Sequence, residues 1–156
     1  MKLSTKGNYG VRAAFELARH YGKGPLPVRQ ISERQDIPLK YLEQLLFRLK
    51  KGGIIKSIRG PSGGYVLTDS PANFSVGDVI KILEGPLQMA GCVLSGDKHH
   101  CNRNNNCVSK ILWLKIEKKI DFILNEISLQ DLSGFVGEDE IVESASTICE
   151  ISGEGL

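Results

Sequence analysis

Apolar positions change period several times along the first seventy residues, and each change marks an element. Val11, Ala14, Phe15 and Ala18 recur at i, i+3, i+4 and i+7, which predicts an amphipathic helix from Ser4 or Thr5 to Tyr21 with either hydroxyl suited to cap it. Gly22, Gly24 and Pro25 end that helix. A second, short helix is expected to start at Pro27, a residue suited to the first helical position, and to end near Gln35. Asp36, Ile37 and Pro38 form a tight turn, and Leu42, Leu45, Leu46 and Leu49 then repeat the helical spacing in a third helix. After Gly52 and Gly53 the pattern becomes short and β-branched over residues 54–58, which reads as a strand. Arg59, Gly60, Pro61, Ser62, Gly63 and Gly64 supply turn chemistry, and Tyr65, Val66 and Leu67 read as a returning strand.

Two faces of this region carry candidate chemistry. Lys40, Tyr41, Glu43, Gln44, Arg48 and Lys51 leave the apolar stripe of the third helix and offer a phenol, hydrogen-bonding groups and three positive charges. Gln can bond adenine edges, Glu can accept from cytosine, and Lys or Arg can reach guanine or phosphate in a major groove. The hairpin that follows has one guanidinium, Arg59, at a glycine-rich tip narrow enough for a minor groove, where Arg is drawn by focused negative potential. Helix, helix, polar-faced helix and Arg-tipped hairpin together predict a winged helix-turn-helix that binds double-stranded DNA. The expected fold class is mainly α with a small β-hairpin wing, extended by a long dimerisation helix.

Charge sharpens that picture. The 156-residue chain has a net charge of only +2, yet residues 1–70 hold 13 Lys and Arg against 5 Asp and Glu. Residues 71–133 hold 7 of each, and residues 134–156 hold 6 acidic side chains and neither Lys nor Arg. A basic half beside an acidic tail suits a polyanionic partner for the basic half. The chain lacks an apolar leader and any membrane-length apolar run, so a cytoplasmic protein is expected. An enzyme is not expected: the sequence offers no nucleophile–base pair or close carboxylate pair, and the glycine-rich loop opens no helix to cradle phosphate.

Beyond the hairpin, Val76, Val79, Ile80 and Leu83 predict a linker helix over residues 75–83, with Ser75 and Asp78 placed as a capping box. Cys92, Cys101 and Cys107 then fall within 16 residues rich in Gly, Asn, Asp and His, at spacing Cys-x8-Cys-x5-Cys. Thiolates are soft ligands, and a loop so poor in hydrophobes gains order from a bound metal. On spacing alone zinc rivals an iron–sulfur cluster. The fourth cysteine, Cys149, stands apart in the tail. Leu112, Ile116, Ile120, Ile123 and Ile127 make one stripe of a long helix over residues 109–127, widened by Trp113 and Leu124. So broad an apolar face predicts a dimer helix crossing its twin. The expected organisation is a DNA-binding unit over residues 1–70, a linker over 71–91, a cysteine-rich cluster-binding loop over 92–108, a dimerisation helix over 109–133, and a loosely attached or disordered acidic tail over 134–156.

The stretches MKLSTKGNYGVRA, ISERQDIPLKYLEQLLFRLKKGGIIKSIRGPSGGY and CVLSGDKHHCNRNNNCVSKILW resemble the IscR-type family of bacterial winged-helix transcription regulators, in the same order over about residues 1–133. The family includes iron–sulfur-cluster regulators, nitric-oxide-sensing repressors and relatives without a cluster. The resemblance implies a homodimer reading a palindromic promoter site, with base contacts from Tyr41, Glu43 and Gln44 and with Arg59 in the minor groove. Lys40 joins this set on charge alone. It also implies an iron–sulfur cluster on Cys92, Cys101 and Cys107, with 2Fe-2S favoured over 4Fe-4S. Two departures leave the fourth ligand open. Lys110 stands where cluster-bearing relatives commonly have histidine, and Asn8 stands where nitric-oxide-sensing relatives use an acid from the partner's first helix. His99 and His100, beside Cys101, are candidates. The alternatives are a cluster-free regulator acting by thiol oxidation or partner-protein binding, and a structural zinc site.

Overall fold

The computed structural model describes residues 4–86 and 107–134. In chain order these form α1 (Thr5–Arg19), α2 (Val28–Gln35), α3 (Leu39–Lys51), β1 (Ile55–Ile58), β2 (Gly64–Leu67), a 3-10 turn (Pro71–Asn73), α4 (Val76–Glu84), α5 (Val108–Glu126) and α6 (Leu129–Gly134).

Local side chains set most of the boundaries. Ser4 caps α1 by accepting the Lys6 amide at 3.2 Å. Pro27 is the N-cap of α2, with extended ψ of 138°, one position earlier than the first helical turn expected for it. Asp36 ends α2 in the left-handed region at φ 48°, a conformation Asp tolerates better than most residues. Gly53, at φ 83°, turns the chain out of α3 toward the hairpin. Ser75 and Asp78 form the expected capping box of α4, each side chain bonding the other's backbone amide at 2.8–3.0 Å.

The core gathers the apolar stripes the periodicity selects. Ala13, Ala14 and Leu17 of α1, Ile31 of α2, Leu42, Leu45, Leu46 and Leu49 of α3, and Val79 and Leu83 of α4 are buried together with Ile54, Ile55 and Leu67 at the base of the hairpin. Each fully buried Leu or Ile contributes about 1.5–3 kcal/mol relative to exposure. Phe15 departs from the expected stripe, lying at the rim under the Arg19 guanidinium, 5.6 Å from the ring centroid. A carboxylate lies buried between α1 and α2: Glu16, 3% exposed, accepts from Gln35 Nε2 at 2.7 Å and from Arg34 at 3.3 Å. Arg12 completes this lock between α1 and α2 by donating to the side-chain and main-chain oxygens of Gln35.

β1 and β2 pair antiparallel, with Ile55 opposite Leu67 and Ile58 opposite Gly64. The hairpin is tied to the helices by an isolated bridge in which the amide of Leu26 donates to the Tyr65 carbonyl and the Tyr65 amide to the Leu26 carbonyl, each at 2.9 Å.

The long C-terminal helix ends one residue before the expected limit, and a short helix follows it. At Ile127 the chain turns; Ser128 and Asp131 make a second capping box that starts α6, whose Leu129 enters the core. The Val76 amide donates to Ile127 and the Leu129 amide to Phe74, both at 2.8 Å, so the starts of α4 and α6 are bridged. Farther back along α5, Lys81 of α4 reaches Asp121 and Asn125, each at 3.1 Å. Among the described residues no helix is long and apolar enough to cross a membrane.

Candidate nucleic-acid interface and cysteine site

The four leucines that anchor α3 fix which of its residues face outward. At about 100° per residue, Lys40, Gln44, Phe47 and Lys51 point within about 60° of one another, away from that core face, with Glu43 and Arg48 on either flank. Lys40, Glu43, Gln44, Phe47, Arg48 and Lys51 are all exposed, and they line an open groove of about 1120 Å³ together with Gly52 and Ile82. Tyr41 differs from its neighbours. It is half-buried, its ring packed edge-to-face on Tyr9 of α1 with centroids 5.9 Å apart and planes at 78°. The Arg12 guanidinium lies over the other ring of that pair, 5.3 Å from the Tyr9 centroid. The phenol of Tyr41 is thus held in place from behind by α1.

The hairpin stands next to this helix through the buried Ile54, Ile55 and Leu67 at its base, and Lys50 donates to Ser57 Oγ at 2.6 Å, joining the last turn of α3 to β1. Arg59 follows β1 directly and is exposed. The turn behind it closes through the Gly63 amide on the Gly60 carbonyl at 3.0 Å. Gly64 has no room for a side chain: a Cβ there would run into the main chain of Leu26 and Pro27.

Of the sulfur site, Cys107 lies within the described residues, whereas Cys92, Cys101, Cys149, His99 and His100 lie outside them. Cys107 is a half-buried free thiol at the N-cap of α5, and its side chain makes no capping bond to the helix. Its sulfur heads a 19-residue helix at the end where backbone dipoles favour negative groups. Lys110 is half-buried one turn farther on. Asn8 is exposed in the first turn of α1. Among the described residues no three His, Cys, Asp or Glu side chains come together as a metal-binding group.

Most of α5 remains uncovered. Glu117 is its one buried residue among those described, while Val108, Ile111, Leu112, Phe122 and Ile123 are exposed, Phe122 to 63%. Ile116 and Ile120 are half-exposed along the same helix.

Three features escape the sequence reading of this region. Phe47 sits in an apolar run, and its residue type hides what the phase of the four leucines implies, that it faces outward. The Lys50–Ser57 tie has no motif. The Leu26–Tyr65 bridge is a single residue pair without periodicity.

Comparison with known proteins agrees with this architecture. A family model described as Rrf2, iron-dependent transcriptional regulator, matches residues 3–134. The HTH-type transcriptional regulator IscR of Yersinia pseudotuberculosis (serotype O:1b, strain IP 31758) is 39% identical over 145 residues, 93% of this chain and 85% of that protein. The solved structure of T. potens IscR matches with a TM-score of 0.73 at 40% identity, covering 90% of this chain and 92% of that one. CymR, the global cysteine regulator of B. subtilis, matches with a TM-score of 0.72 at 35% identity, covering 87% and 98%. The IscR relatives are transcription regulators rather than enzymes. With the helix–helix–hairpin order seen here and a family match running through α6, the chain belongs to the Rrf2 family of winged-helix transcription regulators.

Proposed function

We propose that this chain is a homodimeric regulator that reads a palindromic duplex site with α3 and the hairpin, and senses its signal through an iron–sulfur cluster held by Cys92, Cys101 and Cys107. The observation that carries the DNA reading is the outward stripe of α3, exposed and cationic, fastened beside an Arg-tipped hairpin. In this reading Lys40, Tyr41, Glu43 and Gln44 meet base edges or the adjoining phosphates, Arg48 and Lys51 meet phosphates, and Arg59 enters the minor groove. Residues 1–70 form the reading unit, 71–91 link it to the cluster loop at 92–108, 109–133 dimerise, and 134–156 form the tail. The exposed apolar residues of α5 support dimerisation, since a second copy would cover them.

The donor set fits a cluster. Three thiols within 16 residues are soft ligands, and Cys107 presents a free sulfur that its own helix leaves unbonded. When bound, a 2Fe-2S cluster would supply thiolate-ligated iron whose occupancy or redox state is the signal. The residues do the rest: Cys107 joins the cluster loop to the first turn of α5, so a change in its ligation reaches the dimer helix and, through α4, the reading head. The fourth ligand is His99, His100, Lys110, a partner-chain residue or a small molecule.

The test is an ultraviolet–visible spectrum with iron and sulfide analysis on anaerobically purified protein. A visible chromophore with matched iron and sulfide is expected, lost in Cys92→Ser, Cys101→Ser and Cys107→Ser and retained in Cys149→Ala. A second reading is favoured by the near-equal likeness to CymR: a cluster-free regulator that responds through thiol oxidation or a protein partner. Colourless, iron-free protein with intact DNA binding would select it, and zinc in stoichiometric amount would assign the cysteines a structural role.

A further inference from the structure

Phe47 is the misfit of the polar face. It is 66% exposed, although three leucines within two positions of it are fully buried. Its direction from the helix axis lies between those of Lys40 and Glu43, about 30° from the point opposite the leucine face, so the ring belongs to the outward stripe and not to the core side. Cations surround it: Lys40, Arg48 and Lys51 border the same groove, and Gln44 stands one turn before it. Ile82 of α4 adds a second apolar surface at the end of the groove, where it closes over Gly52.

A phenyl ring has no donor for phosphate and no acceptor for a base amine, so on duplex DNA it gains only from apolar surface. In the major groove the apolar group that differs between base pairs is the thymine 5-methyl. A helix inserted with its leucine face turned away from the duplex brings its outward stripe nearest the base edges. We infer that Phe47 is a specificity-determining residue that takes a thymine methyl in each half-site, beside the base read by Gln44. The inference rests on the DNA-reading role proposed for α3 and adds to it a base preference from a side chain without hydrogen bonds.

The experiment begins with selection of bound duplexes from a randomised pool by the full chain. Each thymine of the selected site is then replaced singly by deoxyuridine, which removes only the methyl. Anisotropy titrations at fixed salt are expected to show one position per half-site where the replacement weakens binding about fourfold, the worth of one buried methyl group. Phe47→Ala should bind methylated and unmethylated duplexes equally, and Phe47→Leu should retain the discrimination. Because Phe47 is exposed, both variants should keep the parent's circular dichroism and sedimentation behaviour. Selection of a site with no methyl-sensitive position would overturn this inference while leaving the DNA-reading role standing. So would an undiminished methyl effect in Phe47→Ala, or a change in its oligomeric state, which would place the ring in a protein contact. Failure to enrich any sequence would remove the DNA-reading role and this inference with it.

Discussion

The carboxylate of Glu84, the last residue of α4, accepts the backbone N–H of Gly7 at 2.8 Å, so the linker helix ends by capping the start of α1. The Ser4 hydroxyl donates to the same oxygen, and Lys6 Nζ lies 3.8 Å from the other. The charge sits at the N-terminal end of α1, where amides lack helical partners. Glu84→Gln should lower stability by about 0.5–1 kcal/mol and Glu84→Ala by about 1–2 kcal/mol, read from urea midpoints at constant slope. A neutral result for both would mean the contact contributes nothing in solution.

Gly64→Ala tests the seam between hairpin and helices. The added methyl meets the Leu26 main chain, which the Leu26–Tyr65 bridge holds in place. Crowding of this kind costs about 1–3 kcal/mol. Melting temperature should fall, and DNA affinity should fall further than stability alone explains, because the hairpin is displaced. The same substitution at Gly60, where no atom lies within reach of a Cβ but φ is 119°, should strain the turn without disturbing the seam.

Arg59→Ala should weaken specific DNA binding by about 1–3 kcal/mol with no change in thermal unfolding. The guanidinium is exposed and contributes contacts to a partner, not to the core. Anisotropy titration at fixed salt measures it. Unchanged affinity would take the hairpin tip out of recognition.

Ile116→Glu with Ile120→Glu should convert a dimer to monomers or aggregates and abolish binding to the palindromic site, since one half-site contact alone is weak. Neither side chain is part of the buried core, so the head should still fold. Sedimentation of the unmodified chain as a folded monomer at micromolar concentration would refute this.

Acid should loosen the corner between α5 and α6 before it reaches the core. The Ser128 hydroxyl foremost, then the Ser128 amide, hold the Asp131 carboxyl below its ordinary value. A carboxyl lowered in the folded state stabilises it above the unfolded value of about 3.9 and loses that contribution as pH falls through the folded value. The Ser128 amide resonance should therefore stay constant from neutral pH to about pH 5 and shift only in stronger acid. In Asp131→Asn that acid shift should vanish.

Much of the head is legible because its elements are periodic. Leu42, Leu45, Leu46 and Leu49 specify both α3 and its buried side, and Ser75 with Asp78 announces α4 through a local bond pattern. The corner at Ser128 uses the same Ser-x-x-Asp chemistry, yet a stripe continuing to Ile127 hides it inside one long helix. Glu84 and Gly7 are 77 positions apart, and no local pattern signals their contact. In the reading face, Lys40, Glu43 and Gln44 stand out by type, whereas Phe47 has the wrong type for the surface and Tyr41 is braced by a ring from another helix. Long-range contact is a tertiary property that a period along the chain does not carry, and the phase of the leucines, not the residue type, is what marks Phe47 as exposed.

Helix α5 carries a mechanical consequence. Its polar ties to α4 are at Asp121 and Asn125, and Asn125 packs on Gly77, where even a methyl would collide. Cys107 heads the opposite end, about 27 Å away along the axis at 1.5 Å per residue. The helix is therefore a long arm with its fulcrum near one tip and a thiol at the other. A tilt of about 5° at Gly77 swings the sulfur through about 2 Å, and a displacement of that size imposed at the sulfur returns as a few degrees of rotation against α4. Leverage of this kind lets chemistry on a single side chain turn a rigid body without unfolding any of it.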